Sequence, residues 1–331
     1  DVDALRDHTG ESVIGAVMEH VEEAGVHSGD SACSIPPTSL AADTIAVIED
    51  YTHKIADALD VKGLINVQYA VKGNQVFVIE ANPRASRTVP FVAKATGVPL
   101  AKIASRIMVG ATLAELRNEG LMRPPVEGDH VAVKEAVLPF NRFPEADAVL
   151  GPEMRSTGEV MGIDLTPGLA FVKSQLAAGL RLPDDGMVFM SLADRDKDIG
   201  TEAAQIFTEL GFTIAATSGT AAAIRAAGID VAVEVAKLGD DDGENAVDLI
   251  ERGDVKLVVN SPRGRGPRAD GDHIRSAAGM ESVPLLTTGK AALAAAKGLR
   301  DWKAHRLAVR SLQEYHAGVG TDALVASEDD N

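Results

Sequence analysis

The sequence predicts an α/β protein in which a mixed, mainly antiparallel first part precedes a parallel sheet with helices on both faces. The chain has 331 residues, more than the ~250 to 300 at which a single hydrophobic core usually stops growing, so two domains are expected. Two β-rich runs in the first part, LINVQYAV and VFVIEAN, flank a short turn, which is typical of an antiparallel hairpin. From about residue 186 strands and helices alternate, which is typical of a parallel sheet.

The first part contains a strand and an amphipathic helix before the hairpin. Residues 12–25 begin as a strand and end in polar residues. Residues 39–59 carry apolar side chains at positions 45, 48, 55 and 59, and this spacing predicts a helix with one buried face. After the hairpin, residues 94–110 predict one helix, and VAVKEAVLPF at 131–140 predicts a strand.

The hairpin places polar side chains at the end of its second strand. A three-residue loop centred on Asn74 would set Gln68 directly opposite Glu80. Because side chains alternate between the faces of a strand, Glu80 and Asn82 share the face that Gln68 then joins. Mg²⁺ or Mn²⁺ prefers such oxygen ligands, and Arg84 two residues later suits a transferring phosphoryl group. The alternative is an exposed strand end whose polar residues only meet water.

Five strands alternate with helices after the boundary segment LPDDG at 182–186. We expect these strands within VFMSLAD, TIAATSG, VAVEVA, KLVVNSP and VPLLTT. The predicted domains are 1–110, 111–182 and 183–316, followed by a tail at 317–331 that lacks hydrophobic periodicity.

Three polar segments favour an anionic ligand. ATSGT at 216–220 leads into a helix whose N–H groups suit a phosphate, and NSPRGRGPR at 260–268 gathers arginines in an acidic region. An ordinary helix cap and a solvated loop are the alternatives. GVHSGDSACS at 25–34 offers backbone N–H groups and hydroxyls to an anion or nucleotide, although a plain turn explains it equally well.

Composition argues against several classes of function. The formal charge is −17, with 49 acidic residues against 32 basic ones, so nucleic acid is not an expected partner. Such an acidic chain also fits a halophilic source, with an unusually acidic mesophile protein as the alternative. No run of about 18 apolar residues occurs, and we expect no membrane partner and a cytoplasmic protein. The single cysteine, Cys33, lies among small residues and is interpreted as a packed thiol rather than a nucleophile.

Four longer stretches together resemble one family. They are EHVEEAGVHSGDSACSIPP, EANPRASRTVPFVAKATGVPLAKIA, VKEAVLPFNRFP and GPEMRSTGEVMG, and they are similar to the large subunit of glutamine-dependent carbamoyl phosphate synthetase. The resemblance extends from residue 1 to about 316. It implies the C-terminal part of a second ATP-grasp half, followed by an allosteric domain of methylglyoxal-synthase-like (MGS-like), Rossmann-like α/β/α fold. It also implies a ligase that phosphorylates carbamate with ATP and Mg²⁺ or Mn²⁺, for arginine and pyrimidine biosynthesis.

The resemblance implies a role for each matching residue of the first part. The divalent metal is expected at Gln68, Glu80 and Asn82, and Arg84 is expected near the transferring phosphoryl group. Nucleotide contacts are expected from Gly25, Val26, His27, Ser28, Gln68 and Glu80.

The resemblance also implies two effector sites. Ornithine is expected at Glu22, Asp30, Glu135 and Thr287, with plain surface carboxylates as the alternative for the two glutamates. A nucleotide monophosphate, UMP or IMP, is expected at Lys197, Thr217, Thr220, Lys237 and Asn260. The second pattern has departures, because Ser218 replaces a histidine, and Pro262 and Gly271 replace hydroxyl residues.

The chain opens inside the ATP-grasp region, so the resemblance implies two partners: the missing N-terminal portion of the large subunit and a glutaminase small subunit. We therefore expect a fragment or split-gene product with little or no synthetase activity alone. The alternatives are another ATP-grasp ligase such as a biotin carboxylase, a regulatory nucleotide-binding module without catalysis, and a methylglyoxal synthase fused to an incomplete ligase.

Overall fold

A computed structural model describes residues 1–122, 130–143, 148–236, 244–261 and 269–318 of the chain. Within these ranges it contains two antiparallel sheets of four strands each and one parallel sheet of five strands. The α/β class and the change from antiparallel to parallel pairing along the chain are therefore confirmed.

The described elements follow one another in chain order. The strands are β1 (Val2–Arg6), β2 (Ser12–Val17), β3 (Glu19–His20), β4 (Cys33–Ile35), β5 (Gly63–Lys72), β6 (Gln75–Asn82), β7 (Val131–Val137), β8 (Gly158–Asp164), β9 (Met187–Ser191), β10 (Thr213–Thr217), β11 (Val233–Val235), β12 (Val255–Asn260) and β13 (Leu285–Leu286). The α-helices are α1 (Ala42–Ala58), α2 (Val89–Thr96), α3 (Leu100–Met108), α4 (Leu113–Asn118), α5 (Pro167–Ala177), α6 (Lys197–Glu209), α7 (Ser218–Ala226), α8 (Ala246–Glu251), α9 (Ala269–Met280), α10 (Gly289–Ala304) and α11 (Leu312–His316).

The first sheet has the order β2-β1-β5-β6 and carries the predicted hairpin, β5–β6, at its edge. Every residue of the central strand β1 is buried. α1 packs on this sheet and buries Ile48, Thr52 and Ala56, which confirms a helix with one buried face. The placement of Leu59 on that face, from the apolar spacing, is wrong, because Leu59 follows the end of α1 and is exposed. The hairpin is thus fixed at one side to a buried strand and leaves its outer strand, β6, at the sheet edge.

The second sheet has the order β3-β4-β7-β8, and α5 packs closely on β7 and β8. Gly162 of β8 permits this approach, since a Cβ atom there would lie 2.0 Å from the carbonyl oxygen of Ala170. The predicted strand at 131–140 is present as β7. Cys33 of β4 is buried, and burial raises the pKa of its thiol to about 11, as expected of a packed thiol.

The single helix predicted at 94–110 is wrong, because two helices occupy this region. α2 ends before Gly97, whose φ of 74° is left-handed, and α3 begins at Leu100. Pro99 precedes α3 and has no N–H group to continue a helix from the preceding turn. Both helices bury apolar side chains in one core, including Phe91 and Ile103.

The parallel sheet has the order β11-β10-β9-β12-β13, so the five predicted strands are confirmed. Successive side chains of β9 enter different cores: Val188 and Met190 pack towards α6 and α10, whereas Phe189 packs towards α8 and α9. The central strands are thus buried on both faces, which explains their continuous apolar runs.

Helix packing and a shared core join the parallel-sheet unit to the rest of the described chain. α10 packs along α5, and residues of β7 share a hydrophobic core with α10. At the end of the described chain, α11 crosses back and buries Tyr315 in the core formed by α2 and α3. The Tyr315 hydroxyl donates to the carbonyl oxygen of Ile163 at 3.1 Å, and a ring nitrogen of His316 lies 2.8 Å from the carbonyl oxygen of Lys94.

In the parts of the chain that the structure covers, no helix combines the length and the apolar character that crossing a membrane requires.

Candidate functional site

The register of the β5–β6 hairpin places Gln68 directly opposite Glu80, as predicted, but by a different route. Lys72 pairs with Gln75, so the loop has two residues rather than three. The register shifts by one residue between Gln68 and Tyr69, which pairs with Val78, and the extra residue of β6 is Ile79. The extra residue that was expected in the loop therefore lies in β6, where it forms a β-bulge at Ile79.

Glu80 and Asn82 lie on one face of β6, where their side chains touch. The Asn82 amide nitrogen donates to Glu80 Oε1 at 2.9 Å, which turns the amide nitrogen towards the carboxylate and leaves the amide oxygen of Asn82 as an acceptor. Glu80 is exposed, whereas Gln68 and Asn82 are half-buried. We call Gln68, Glu80 and Asn82 the oxygen face.

The chemistry of the oxygen face fits a hard divalent cation. It offers one carboxylate and two side-chain amides, and Mg²⁺ is usually held by one or two carboxylates while it keeps waters or substrate phosphates as further ligands. Arg84 follows on an exposed loop, and its guanidinium donates to the carbonyl oxygen of Ala85 at 2.9 Å. The oxygen face and a guanidinium thus lie within one short segment at the sheet edge.

A cavity of about 220 Å³ lies beside the oxygen face, and we call it the smaller cavity. Gln68 and Ile79 line it from the hairpin, and Gly25 and Val26 line it from the Gly- and Ser-rich turn. The parallel-sheet unit completes the wall with Asp196, Thr288 and Lys290. The structure therefore brings together three of the predicted nucleotide contacts, Gly25, Val26 and Gln68.

His27 and Ser28, also predicted nucleotide contacts, lie in the turn beside this cavity but do not line it. A His27 ring nitrogen, Nδ1, accepts from the backbone N–H of Gly29 at 3.0 Å, and Ser28 is buried. The turn is anchored from β7, where the buried Lys134 ammonium donates to the carbonyl oxygens of Ser28 and Ser31 at 3.0 and 2.6 Å. The shape of the turn is therefore fixed by a residue distant in sequence.

A second cavity, of about 400 Å³, contains all four residues predicted for ornithine, and we call it the larger cavity. Its lining includes Glu22, Asp30, Glu135 and Thr287. Both carboxylate oxygens of Asp30 accept backbone N–H groups, from Arg155 at 2.7 Å and Ser156 at 2.8 Å. Asp30 therefore holds the turn in place as well as lining the cavity.

The two glutamates of the larger cavity have unusual protonation behaviour. Burial raises the pKa of Glu22 to about 8, and the nearby Glu135 carboxylate adds to the rise. Burial likewise raises the pKa of Glu135 to about 7, although Gln175 donates a hydrogen bond to its carboxylate. A bound cation would favour the charged form of both groups, so this cavity suits a ligand that carries an amine.

The two cavities share part of their lining. Val21 and Glu22 line both of them. The adjacent residues Thr287 and Thr288 line the larger and the smaller cavity respectively.

The described residues of the predicted nucleotide-monophosphate site lie at or shortly after the carboxyl ends of three parallel strands, β9, β10 and β12, and are Lys197, Thr217, Thr220 and Asn260. α7 begins at Ser218 with Thr217 as its N-cap, and no side-chain capping bond forms. The Thr220 hydroxyl is buried and accepts the backbone N–H of Leu192 at 2.9 Å, while Asn260 accepts from Arg275 at 2.9 Å.

The structure describes only some of the other residues predicted to bind an anion at this edge. Lys197 pairs with Asp194 at 2.7 Å. Lys237, Pro262 and the arginines of 263–268 lie outside the described residues.

Several residues that shape these sites were not predicted from the sequence. Lys134 of β7 and Asp3 of β1 are fully buried charged residues whose neighbours in each strand include buried apolar side chains. A charge in the middle of a buried run was the available signal, because burial of such a group requires specific partners. Arg275, Asp196 and Lys290 carried no comparable signal, since their positions depend on how the two units pack.

Comparison with known proteins assigns both parts of the chain. Residues 1–116 match the family described as carbamoyl-phosphate synthase L chain, ATP binding domain, and residues 200–287 match the MGS-like domain. The carbamoyl phosphate synthase large chain of Synechocystis sp. is 51% identical over 318 residues, which cover 95% of this chain and 29% of that protein. The large chain of Archaeoglobus fulgidus is 52% identical over 317 residues, covering 96% and 29%.

The large chain of Methanothrix thermoacetophila is 49% identical over 324 residues, covering 98% of this chain and 30% of that protein. The chain thus spans about 30% of the length of these relatives. Both domain families occur in the predicted order, and the similarity extends through the whole described fold. On this evidence, the chain belongs to the carbamoyl phosphate synthase large-chain family.

Proposed function

We propose that this chain forms the carbamate-phosphorylating site and the effector domain of a glutamine-dependent carbamoyl phosphate synthetase. The reaction converts carbamate and ATP into carbamoyl phosphate and ADP, a product used in arginine and pyrimidine biosynthesis. The observation that carries this proposal is the oxygen face beside the smaller cavity, in a chain about half identical to carbamoyl phosphate synthase large chains. The runner-up ligase, a biotin carboxylase, has no comparable support.

The smaller cavity has the two kinds of surface that a nucleotide requires. Apolar side chains, among them Ile48, Tyr69 and Ile79, suit a base. The turn at Gly25 and Val26 brings backbone groups to the same space. We propose that ATP binds here with its phosphates directed along the hairpin towards Glu80.

The oxygen face would hold Mg²⁺ or Mn²⁺, which when bound neutralises charge on the phosphates. Gln68 lines the cavity and lies opposite Glu80, so one side of the metal position faces the nucleotide. We propose that the Arg84 guanidinium stabilises negative charge on the transferring phosphoryl group.

The complete reaction requires more than these 331 residues in our proposal. The rest of the large chain would close the nucleotide site, and a glutaminase small subunit in the same cytoplasmic complex would supply ammonia. We therefore expect no ATP-dependent formation of carbamoyl phosphate by the purified chain alone. Measurable formation without any added partner would contradict this expectation.

The test of the phosphorylating site is Glu80→Gln in the complete enzyme. The change removes the one carboxylate of the oxygen face at nearly constant size, so we expect loss of ATP synthesis from carbamoyl phosphate and ADP while glutamine hydrolysis continues. Glu251→Gln, an exposed glutamate at the end of α8, is the matched control and should leave both reactions unchanged. Full ATP synthesis by the Glu80→Gln enzyme would refute the proposed site.

The effector assignments are tested by titration calorimetry on the chain itself. We propose that the larger cavity binds ornithine and that the carboxyl edge of the parallel sheet binds UMP or IMP. Glu135→Gln should weaken ornithine binding, and Thr217→Val should weaken nucleotide-monophosphate binding without affecting ornithine. Binding of the monophosphates without any binding of ATP–Mg²⁺ would favour the alternative of a purely regulatory module.

A further inference from the structure

Asp3 is a buried carboxylate that the proposed chemistry does not use. It lies in β1, the central strand of the first sheet, and is fully buried. A carboxylate at such a position destabilises the fold unless several donors satisfy it. The hydrogen bonds that Asp3 accepts therefore indicate which segments of the chain it holds together.

Three side chains donate to Asp3, and they come from two separate segments. Asn66 Nδ2 and the Ser86 hydroxyl donate to Oδ1 at 2.9 and 2.8 Å, and the Thr88 hydroxyl donates to Oδ2 at 2.7 Å. The Ser86 and Thr88 hydroxyl oxygens are themselves 2.7 Å apart. One carboxylate thus ties β5 and the segment after β6 to the central strand.

These two segments carry Gln68 and Arg84, and they flank β6, which carries Glu80 and Asn82. Asn66 lies opposite Asn82 in the β5–β6 register. Ser86 and Thr88 follow Arg84 by two and four residues, and Thr88 is the N-cap position of α2. The guanidinium of Arg84 donates within its own loop, to Ala85, and this bond does not attach the loop to the sheet. The described attachment to β1 runs through Ser86 and Thr88.

We propose that Asp3 is a positioning residue for phosphoryl transfer: it holds residues 82–88 against the first sheet, so that Arg84 and Asn82 keep fixed places relative to Glu80. The inference rests on the proposed function of the oxygen face. It differs from a purely structural role in one respect, since it requires that loosening this segment slows the reaction without weakening nucleotide binding.

The first test is Asp3→Asn in the complete enzyme, which preserves size and replaces one acceptor by a donor. We expect kcat for ATP synthesis from carbamoyl phosphate and ADP to fall roughly 10- to 100-fold, because misplacement by about 1 Å can cost this much. KM for ADP should stay within about twofold, since Gly25 and Val26 are untouched. A rise in KM with unchanged kcat would overturn the proposal.

The second test needs no catalysis and uses hydrogen exchange of the 331-residue chain. Asp3→Asn should speed exchange of backbone amides in residues 82–88, while exchange in α1 and in the parallel sheet stays as in the parent. Faster exchange spread evenly over the whole first sheet would show that Asp3 serves only the stability of the core and would overturn the proposal.

A matched pair at Thr88 keeps the proposal testable where Asp3→Asn does not fold. Thr88→Ser retains the hydroxyl that donates to Asp3, whereas Thr88→Val removes it at nearly the same size. We expect kcat of Thr88→Ser near that of the parent and kcat of Thr88→Val reduced as in Asp3→Asn. Equal kcat values for the two variants would overturn the proposal, while loss of activity in Glu80→Gln would still support the site itself.

Discussion

At the scale of single residues, burial in the larger cavity makes the charged forms of Glu22 and Glu135 unfavourable. Both carboxyl groups have raised pKa values, about 8 and about 7, because burial disfavours their charged forms. A carboxyl group with a raised pKa binds its proton more tightly in the folded state than in the unfolded state. Its contribution to stability is therefore complete at low pH and is lost as the pH rises through the folded pKa.

We expect this loss to appear in thermal unfolding of the chain. As the pH rises from the ordinary carboxyl range near 4.5 to about 8, the unfolding midpoint should fall relative to that of Glu22→Gln, which has no proton to lose. The exposed-residue variant Glu251→Gln should follow the parent at every pH. A constant difference between the parent and Glu22→Gln across this range would contradict the raised pKa.

The same pKa values predict the pH dependence of ligand binding. An amine bound between the two carboxylates favours their charged forms, so binding should release protons below pH 8. The calorimetric enthalpy of ornithine binding should then depend on the ionisation enthalpy of the buffer. Identical enthalpies in phosphate and Tris buffers at pH 7 would show that no proton is released.

At the scale of elements, the contact between β8 and α5 tolerates no side chain at Gly162. A methyl group there would lie 2.0 Å from the carbonyl oxygen of Ala170 and 2.4 Å from the backbone nitrogen of Ser174. Both neighbours are backbone atoms, so the helix itself must move. We expect Gly162→Ala to reduce the free energy of unfolding by about 3 kcal/mol, the upper part of the range for overpacking.

Gly158→Ala is the control for this prediction because it lies on the same strand. A methyl group at Gly158 would meet only the Cβ atom of Val137, at 3.9 Å, which is ordinary contact. Chemical denaturation should separate the two variants clearly. Equal stability of both would mean that the packing of α5 on β8 adjusts without cost.

Strands and helices were easier to predict from the sequence than the bulge and the helix break that interrupt them. The alternation of apolar runs was enough for the five parallel strands, and the paired β-rich runs were enough for the hairpin. The bulge at Ile79 was not predictable from the sequence. A two-residue loop combined with a bulge pairs Gln68 with Glu80, and so does a three-residue loop without a bulge. The break between α2 and α3 was visible as Gly97 and Pro99, but the apolar periodicity across it masked the signal.

The candidate site was predictable only where its residues share one strand pair. Gln68, Glu80 and Asn82 follow from the period of two within a hairpin, so their common face could be derived. The walls of both cavities combine elements more than a hundred residues apart, as with Val26 and Lys290 in the smaller cavity. Long-range packing of this kind leaves no periodic trace in the sequence.

At the scale of the whole molecule, the formal charge of −17 acts against compactness. Salt screens repulsion between exposed charges, with a Debye length of about 3 Å at 1 M. We expect the unfolding midpoint of the chain to rise by several degrees between low and multimolar KCl, as a halophilic source would require. An unfolding midpoint at low salt equal to that in multimolar KCl would contradict the hypothesis of a halophilic source and favour an acidic mesophile protein.

The return of α11 onto α2 and α3 has a consequence for biosynthesis. Tyr315 is fully buried, and the other buried residues of its core all precede residue 164. Nearly the entire parallel-sheet unit is synthesised before Tyr315. During synthesis this core therefore lacks the Tyr315 side chain until the parallel-sheet unit has been made. The early part of the protein therefore reaches its final packing after the later part has emerged, against the usual N-terminal-first order of domain folding.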